Sequence, residues 1–122
     1  MSFFYTTEQI RNRTKTVTRR LGWRHAKAGE IINACVKCQG LGRGGKIERI
    51  CQIRVTDVRR EPLSKMDDDL PSPNLATYGD IEATKEGFPG MTGAEFVSMF
   101  CKHMKCLSNE IVTRIEFEYV DG

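Results

Sequence analysis

The sequence predicts one α+β domain. Two stretches, ICQIRVT from residue 50 and TRIEFEY from residue 113, alternate apolar and polar residues with the period of a strand. Near residue 96 the apolar positions fall instead at helical spacing, and a 122-residue chain suits a single core spanning residues 1–122. Hydrophobic residues make up 39% and charged residues 29%, with no low-complexity tract, which is the profile of a soluble globular protein.

The elements follow in order. Thr6 with Gln9 matches a capping box, so a short helix is expected from Thr7 to about Asn12. The β-branched Thr14, Thr16, Val17 and Thr18 then favour a loop or short extended segment. Ala28, Gly29 and Glu30 form a turn into a strand at Ile31 to Val36, and the glycine-rich LGRGG at 41–45 leads to a second strand from residue 50 to about Arg59. In that strand Cys51, Ile53 and Val55 share the buried face. Pro62, Pro71, Pro73, Asn74 and the run Asp67, Asp68, Asp69 make residues 62–78 a long loop with at most one helical turn. Asp80 to Glu86 reads as a short helix stopped by Gly87. Thr92 caps a longer helix whose Phe96, Met99, Phe100 and Met104 share one face and are expected to cover the sheet. Thr113, Ile115, Phe117 and Tyr119 alternate with Arg114, Glu116 and Glu118 in the last strand, the strongest strand signal in the sequence.

Composition narrows the function classes. No run reaches the roughly 18 apolar residues of a membrane span, and the start MSFFYTTEQ lacks a signal peptide's basic flank and apolar centre. The expected compartment is the cytoplasm, with a monomer as the default state. Cys35, Cys38, Cys51, Cys101 and Cys106 are odd in number, which fits reduced thiols better than a disulfide framework. Cys35 with Cys38 and Cys101 with Cys106 are poor zinc pairs. Positions three apart in a strand face opposite ways, and positions five apart in a helix diverge by roughly 140°. His25 and His103 have no metal spacing and LGRGGK lacks the phosphate-loop pattern, so no metal or cofactor is called for. Net charge is only +3, yet residues 11–27 hold Arg11, Arg13, Lys15, Arg19, Arg20, Arg24 and Lys27 without one acid. Such a segment is either a solvated face or a surface for an anionic partner.

Within it, Lys15, Thr18 and Arg20 stand in the order Lys-x-x-Thr-x-Arg, after a short helix and before a Gly-Glu turn that opens a strand. This resembles the signature of the ASCH domain, a small PUA-like β-barrel with the pattern Gly-x-Lys-x-x-Thr-x-Arg. GEIINA, ICQIRVTDVRREPL, KEGF at 85–88 and RIEFEY resemble its first strand, middle strand, acidic turn and closing strand. The LGW after the motif, and EGF leading into a helix with AEF, resemble phage and prophage members, which implies a host's cytoplasm as the compartment of a phage-encoded chain. Arg13 departs from the family glycine; its backbone is less free to adopt positive φ, and its side chain is placed to reach into the cleft.

The resemblance implies a cleft that binds RNA, DNA or a modified nucleoside. The bacterial N4-acetylcytidine amidohydrolases of this family use a lysine, a threonine and a glutamate, which match Lys15, Thr18 and Glu86. Chemically, Thr18 can supply a hydroxyl as nucleophile or donor, a desolvated Lys15 can take a proton, and Glu86 can orient it. The alternatives are an exposed lysine, a turn threonine and a helix-end glutamate. Arg13, Arg19, Arg20 and Trp23 complete the candidate site as substrate-binding residues: a guanidinium grips phosphates or base edges, and an indole stacks on a base. Trp23 sealing the barrel end is an equal alternative, as is a non-catalytic RNA- or DNA-binding module. A third class, a phage protein acting on a host protein, would use the acidic loop at 67–69.

Overall fold

The computed structural model describes residues 1–37, 46–67 and 77–121. Four antiparallel strands, β1 (Val17–Arg20), β2 (Ile31–Cys35), β3 (Arg49–Pro62) and β4 (Ile111–Tyr119), are ordered β1-β4-β3-β2. The sheet curls into a half-barrel, the α+β architecture read from the sequence. β3 outruns the expected strand because its ladder with β4 continues to Pro62↔Ile111. Its register skips Thr56, between Val55 and Asp57, and an inserted residue of this kind bends and twists a strand. The glycine-rich stretch at 41–45, Cys38, Asp68, Asp69, Pro71, Pro73 and Asn74 lie outside the described residues.

The N-terminal segment lies along the β2 edge, where Ser2 bridges Cys35 and the Phe3 N–H donates to the Cys35 carbonyl at 2.8 Å. A 3-10 turn at Phe4–Thr6 and helix α1 (Thr7–Arg11) then carry the chain to β1 at the opposite edge, across the mouth of the half-barrel. Phe3 and Ile10 drop from this crossing into a core of Ile32, Ala34, Ile53, Val55, Ile115 and Phe117. Full burial of such a side chain contributes about 1.5–3 kcal/mol.

Two expectations change here. Thr6 is the N-cap of α1, but no capping box forms with Gln9. The preceding 3-10 turn holds Thr6 at φ −128°, ψ 28°, away from the extended conformation that aims a cap hydroxyl at the helix. Thr7 Oγ1 instead donates to the Phe3 carbonyl at 2.9 Å. Helix α3 (Gly93–Met104) does begin on a complete capping box between Thr92 and Glu95, yet its apolar face packs mainly on other helical segments and meets the sheet at Val112. Phe96, Val97 and Phe100 pack with Leu63 and Met66 of a second 3-10 turn (Leu63–Asp67), with Ala83 of helix α2 (Tyr78–Lys85) and, from the sheet, with Val112. Gly79 and Gly93 fix this arrangement. A Cβ on Gly79 would stand 1.8 Å from the Met66 carbonyl oxygen and 2.8 Å from the Gly93 Cα, so α2, α3 and the turn meet backbone to backbone. The helices form a second core on the sheet face opposite Ile115 and Phe117.

Candidate functional site

Strand alternation sends Val17 and Arg19 of the edge strand β1 to the face that α2 covers, and Thr18 and Arg20 to the other. Two hydrogen bonds set where β1 begins. The Thr16 N–H donates to the Lys85 carbonyl at 2.8 Å, and the Tyr119 hydroxyl donates to the Lys15 carbonyl at 2.6 Å. The first ties the start of β1 to the end of α2, whose C-cap is Glu86 and whose exit needs the positive φ of Gly87, 103°.

Lys15 and Glu86 meet at that junction. Lys15 Nζ donates to Glu86 Oε1 at 2.7 Å and to the Glu86 backbone carbonyl at 2.8 Å, with both side chains 3% exposed. The second oxygen, Glu86 Oε2, accepts from Arg19 Nη1 at 3.0 Å, while Arg19 Nη2 donates to Glu82 Oε1 at 2.6 Å. Arg114 reaches the same Glu82 carboxylate through Nε and, at 3.1 Å, through Nη2. The Tyr78 hydroxyl donates to Glu61 Oε2 at 2.8 Å. Among the described residues the buried charges are Lys15, Arg19 and Arg114 against Glu61, Glu82 and Glu86. That balance permits their burial, since an unpaired charge in the interior costs far more than a paired one.

Burial pushes the Lys15 amine below its ordinary 10.5, against the pull of Glu86, and the nearby Arg20 and Arg19 add to the depression. Glu82 behaves oppositely. Burial alone would raise its pKa, but Arg114 and Arg19 hold it at about 2. Among the described residues Arg19 Nε is a buried donor without a hydrogen-bond partner. Buried donors are normally satisfied, so an orphan beside a cavity calls for an acceptor.

The cavity beside this junction has a volume of about 310 Å³, at the lower end of small-molecule sites. Lys15, Arg19, Arg20 and Glu86 form its polar end. Its walls are apolar and largely aromatic, with Phe4, Tyr5, Phe88, Phe96 and Met99 among the lining residues.

The structure therefore brings Lys15, Arg19, Arg20 and Glu86 to one concavity. Thr18 is buried next to them and is not among the cavity-lining residues; its Oγ1 accepts from Arg20 Nε at 3.1 Å. The Arg20 guanidinium also lies 4.8 Å from the centre of the Phe3 ring. Arg13 adopts φ 61° although it is not glycine, and its guanidinium turns to Asp121 Oδ1 at 2.7 Å and to the Tyr119 ring, away from the cavity. Trp23, with φ 58°, borders a second hollow with Phe4, Tyr5, Arg20 and Lys37. Sequence reasoning missed Glu61, Tyr78, Glu82 and Arg114. The four-residue spacing of Tyr78, Glu82 and Glu86, which puts all three on one helix face, is the signal the sequence carries for them.

At the end of α3 the left-handed Lys105 turns Cys106 back, so that its N–H donates to the Cys101 carbonyl at 3.3 Å. The divergence expected of positions five apart in a helix therefore does not apply to this pair. Among the described residues no group of three or more His, Cys, Asp or Glu side chains is placed to hold a metal ion, and no helix is long and apolar enough to cross a membrane.

No protein-family model and no curated protein matches the sequence. Among solved structures, the chain is similar to a DUF984-family protein from Enterococcus faecalis, at 16% identity over 96% of this chain and 71% of that one, with a TM-score of 0.58. It is also similar to an ASCH domain from Lactobacillus crispatus, at 14% identity over 98% of this chain and 75% of that one, with a TM-score of 0.55. At these identities the likeness concerns the fold, and the fold is that of an ASCH domain.

Proposed function

On this ASCH-type fold, we propose that the cavity beside Lys15 takes a modified nucleoside and that the protein hydrolyses an amide on its base, as an N4-acetylcytidine-like substrate would present. The observation that supports this reading best is the buried Lys15–Glu86 pair at the polar end of an otherwise apolar cavity. Aromatic walls suit a flat ring, and the cavity volume suits a nucleoside better than a polymer groove. A lysine whose amine is depressed by burial yields its proton more readily than a solvated one and can serve as a base nearer neutral pH.

The steps balance as an ordinary hydrolysis. The attacking oxygen adds to the acyl carbon, and its proton passes to the Lys15 amine, which Glu86 Oε1 holds in place. The tetrahedral oxyanion takes hydrogen bonds from cationic donors; Arg20, and the unsatisfied Arg19 Nε, stand at the polar end for this purpose. Collapse expels the amino group of the base, which leaves with the proton from Lys15, and the acyl group departs as the acid. The attacking oxygen is a water or the Thr18 hydroxyl; in the second case the acyl group passes first to Thr18 as an ester, and a water then releases it as the acid. Because the hydroxyl is engaged by Arg20 Nε and Thr18 does not line the cavity, the geometry favours water, with Thr18 holding Arg20.

One observation favours a second reading. Lys15 Nζ donates to two acceptors of Glu86, the pattern of a protonated lysine in a permanent ion pair, which would leave a module that binds RNA, DNA or a nucleoside without changing it. Incubating the protein with N4-acetylcytidine and related acylated nucleosides, and following release of the deacylated nucleoside, separates the two. Turnover supports the hydrolase. Binding without turnover on every acylated nucleoside leaves the module.

A further inference from the structure

Two half-buried thiols meet at the end of α3. The helix stops at Met104, and Lys105 turns the chain with φ 53° and ψ 50°. The N–H groups of Lys105 and Cys106 both donate to the Cys101 carbonyl, the second at 3.3 Å. A bond reaching back five residues past a left-handed residue marks a Schellman ending, in which the side chains at these two positions come into contact across the turn. That contact is ordinarily apolar, and here both positions are cysteine. Both thiols are free, and both pack on the edge of the second core. Burial pushes the Cys106 thiol above its ordinary 9.0 and the Cys101 thiol adds to the rise, so each lies within the other's influence. A disulfide needs Cα atoms about 4.4–6.8 Å apart, and two residues whose backbones are hydrogen-bonded to each other meet that need.

We propose that Cys101 and Cys106 are a redox modification site, which a peroxide or a small disulfide converts to a reversible intrachain disulfide that pins the end of α3. With hydrogen peroxide, one sulfur attacks an oxygen, the O–O bond breaks, and a sulfenic acid and one water form. The second sulfur attacks the first, the S–O bond breaks, and the hydroxyl leaves as a second water with the thiol's proton. Two electrons pass from the two sulfurs to the peroxide. With a small disulfide, the first thiolate displaces one thiol to give a mixed disulfide and the second displaces the other. The closed ring spans residues 101–106 and contains His103 and Met104, which line the cavity beside Lys15. The His103 ring also lies 4.5 Å from the Tyr5 ring, centre to centre. The cross-link therefore holds the segment that forms one wall of the cavity. The inference does not rest on what the cavity binds.

Trypsin cuts after Lys102 and Lys105, so the disulfide leaves fragments 86–102 and 106–114 joined until a reductant parts them. Equilibrated with reduced and oxidised glutathione, the native protein should form this link at least about tenfold more readily than the same chain in urea, because the turn already holds the two residues together. A fold that favours the bond is stabilised by it in turn, so oxidation should raise Tm by roughly 4 °C or more, and a dithiol reductant should reverse the rise. Hydrogen exchange of the amides at 101–106 should slow on oxidation while that of β3 stays unchanged. Cys101→Ser and Cys106→Ser should each show neither the link nor the rise in Tm, which separates this pair from Cys35, Cys38 and Cys51. The fragment map needs no variant and stands even where a serine variant folds poorly. A link no more favoured in the native chain than in urea, a sulfinic acid on either cysteine without the link, or a rise in Tm that survives in both serine variants would overturn the proposal.

Discussion

Lys15 Nζ and Glu86 Oε1 lie 2.7 Å apart, joined across 71 residues of sequence and nearly closed to solvent. The contact links the loop before an edge strand to the C-cap of a helix, so it reports whether β1 and α2 have docked. It also places an amine and a carboxylate at the polar end of a cavity, the two groups that the proposed hydrolysis uses as base and orienting partner.

Removing one partner should cost more than removing both. Lys15→Met leaves Glu86 still bonded to Arg19 and should destabilise by about 1–3 kcal/mol. Glu86→Gln leaves two buried cations sharing a neutral amide and should cost about 3–5 kcal/mol. The double variant should be clearly more stable than the sum of the two losses implies, as measured by denaturant unfolding of all four proteins. Strict additivity would mean the pair does not act as a unit.

Acid should release the Glu82 carboxylate from its two arginines. The unfolded carboxyl titrates at its ordinary 4.5 and the folded one at about 2, so this contribution is complete above about pH 4.5 and is lost as pH falls toward 2. The gap corresponds to about 3 kcal/mol. Glu82→Gln should lower stability at neutral pH by an amount of that order and flatten the acid limb between those two values. Unfolding free energies measured from pH 6 to pH 2 check both.

Much of this fold is legible in the sequence because period-2 alternation survives folding wherever one face meets a core. Ile53 and Val55 pair across to Tyr119 and Phe117 as their pattern requires, and the capping box at Thr92 is local enough to read directly. What escapes is anything decided by a partner distant in sequence. Arg114 alternates with apolar residues along β4 and is nevertheless buried, because α2 lays Glu82 over it. Thr6 reads as a capping box until the 3-10 turn before it changes its backbone. Lys15 and Glu86 stand out by resemblance to a motif and not by any pattern of charge, while the four-residue spacing of Tyr78, Glu82 and Glu86 is a local sign of a network that Arg19, Glu61 and Arg114 complete from afar. Arg13 shows the converse: a non-glycine adopts positive φ where the motif has glycine, held by Asp121 and Tyr119.

The meeting of α2, α3 and the Leu63–Asp67 turn should tolerate no side chain at its centre. In Gly93→Ala the new Cβ would stand 1.9 Å from the Met66 carbonyl oxygen, and in Gly79→Ala 1.8 Å, against backbone that cannot give locally. Each should destabilise by roughly 3 kcal/mol or more. Gly22→Ala, where a Cβ meets nothing within 4 Å, is the control and should change stability little in thermal unfolding.

The depressed Lys15 amine should appear in the pH dependence of the reaction. If the neutral amine is the base, kcat/KM rises with pH to a plateau reached below the ordinary lysine value of 10.5. The same shift predicts that stability rises with pH between the folded value and 10.5, because the unfolded lysine still holds its proton there and the folded one does not. Lys15→Met should abolish both pH dependences. A rate profile that keeps its alkaline rise in Lys15→Met would assign the base elsewhere.

The most direct measurement is the turnover of N4-acetylcytidine, presented within a single strand and as the free nucleoside, by the wild type, Lys15→Ala and Thr18→Val, with binding of the same substrates measured in parallel. The account predicts release of the deacylated base by the wild type, a loss of about 10² or more in kcat for Lys15→Ala with binding largely kept, and a smaller loss for Thr18→Val. Binding without deacylation by the wild type, or equal turnover by wild type and Lys15→Ala, would contradict it.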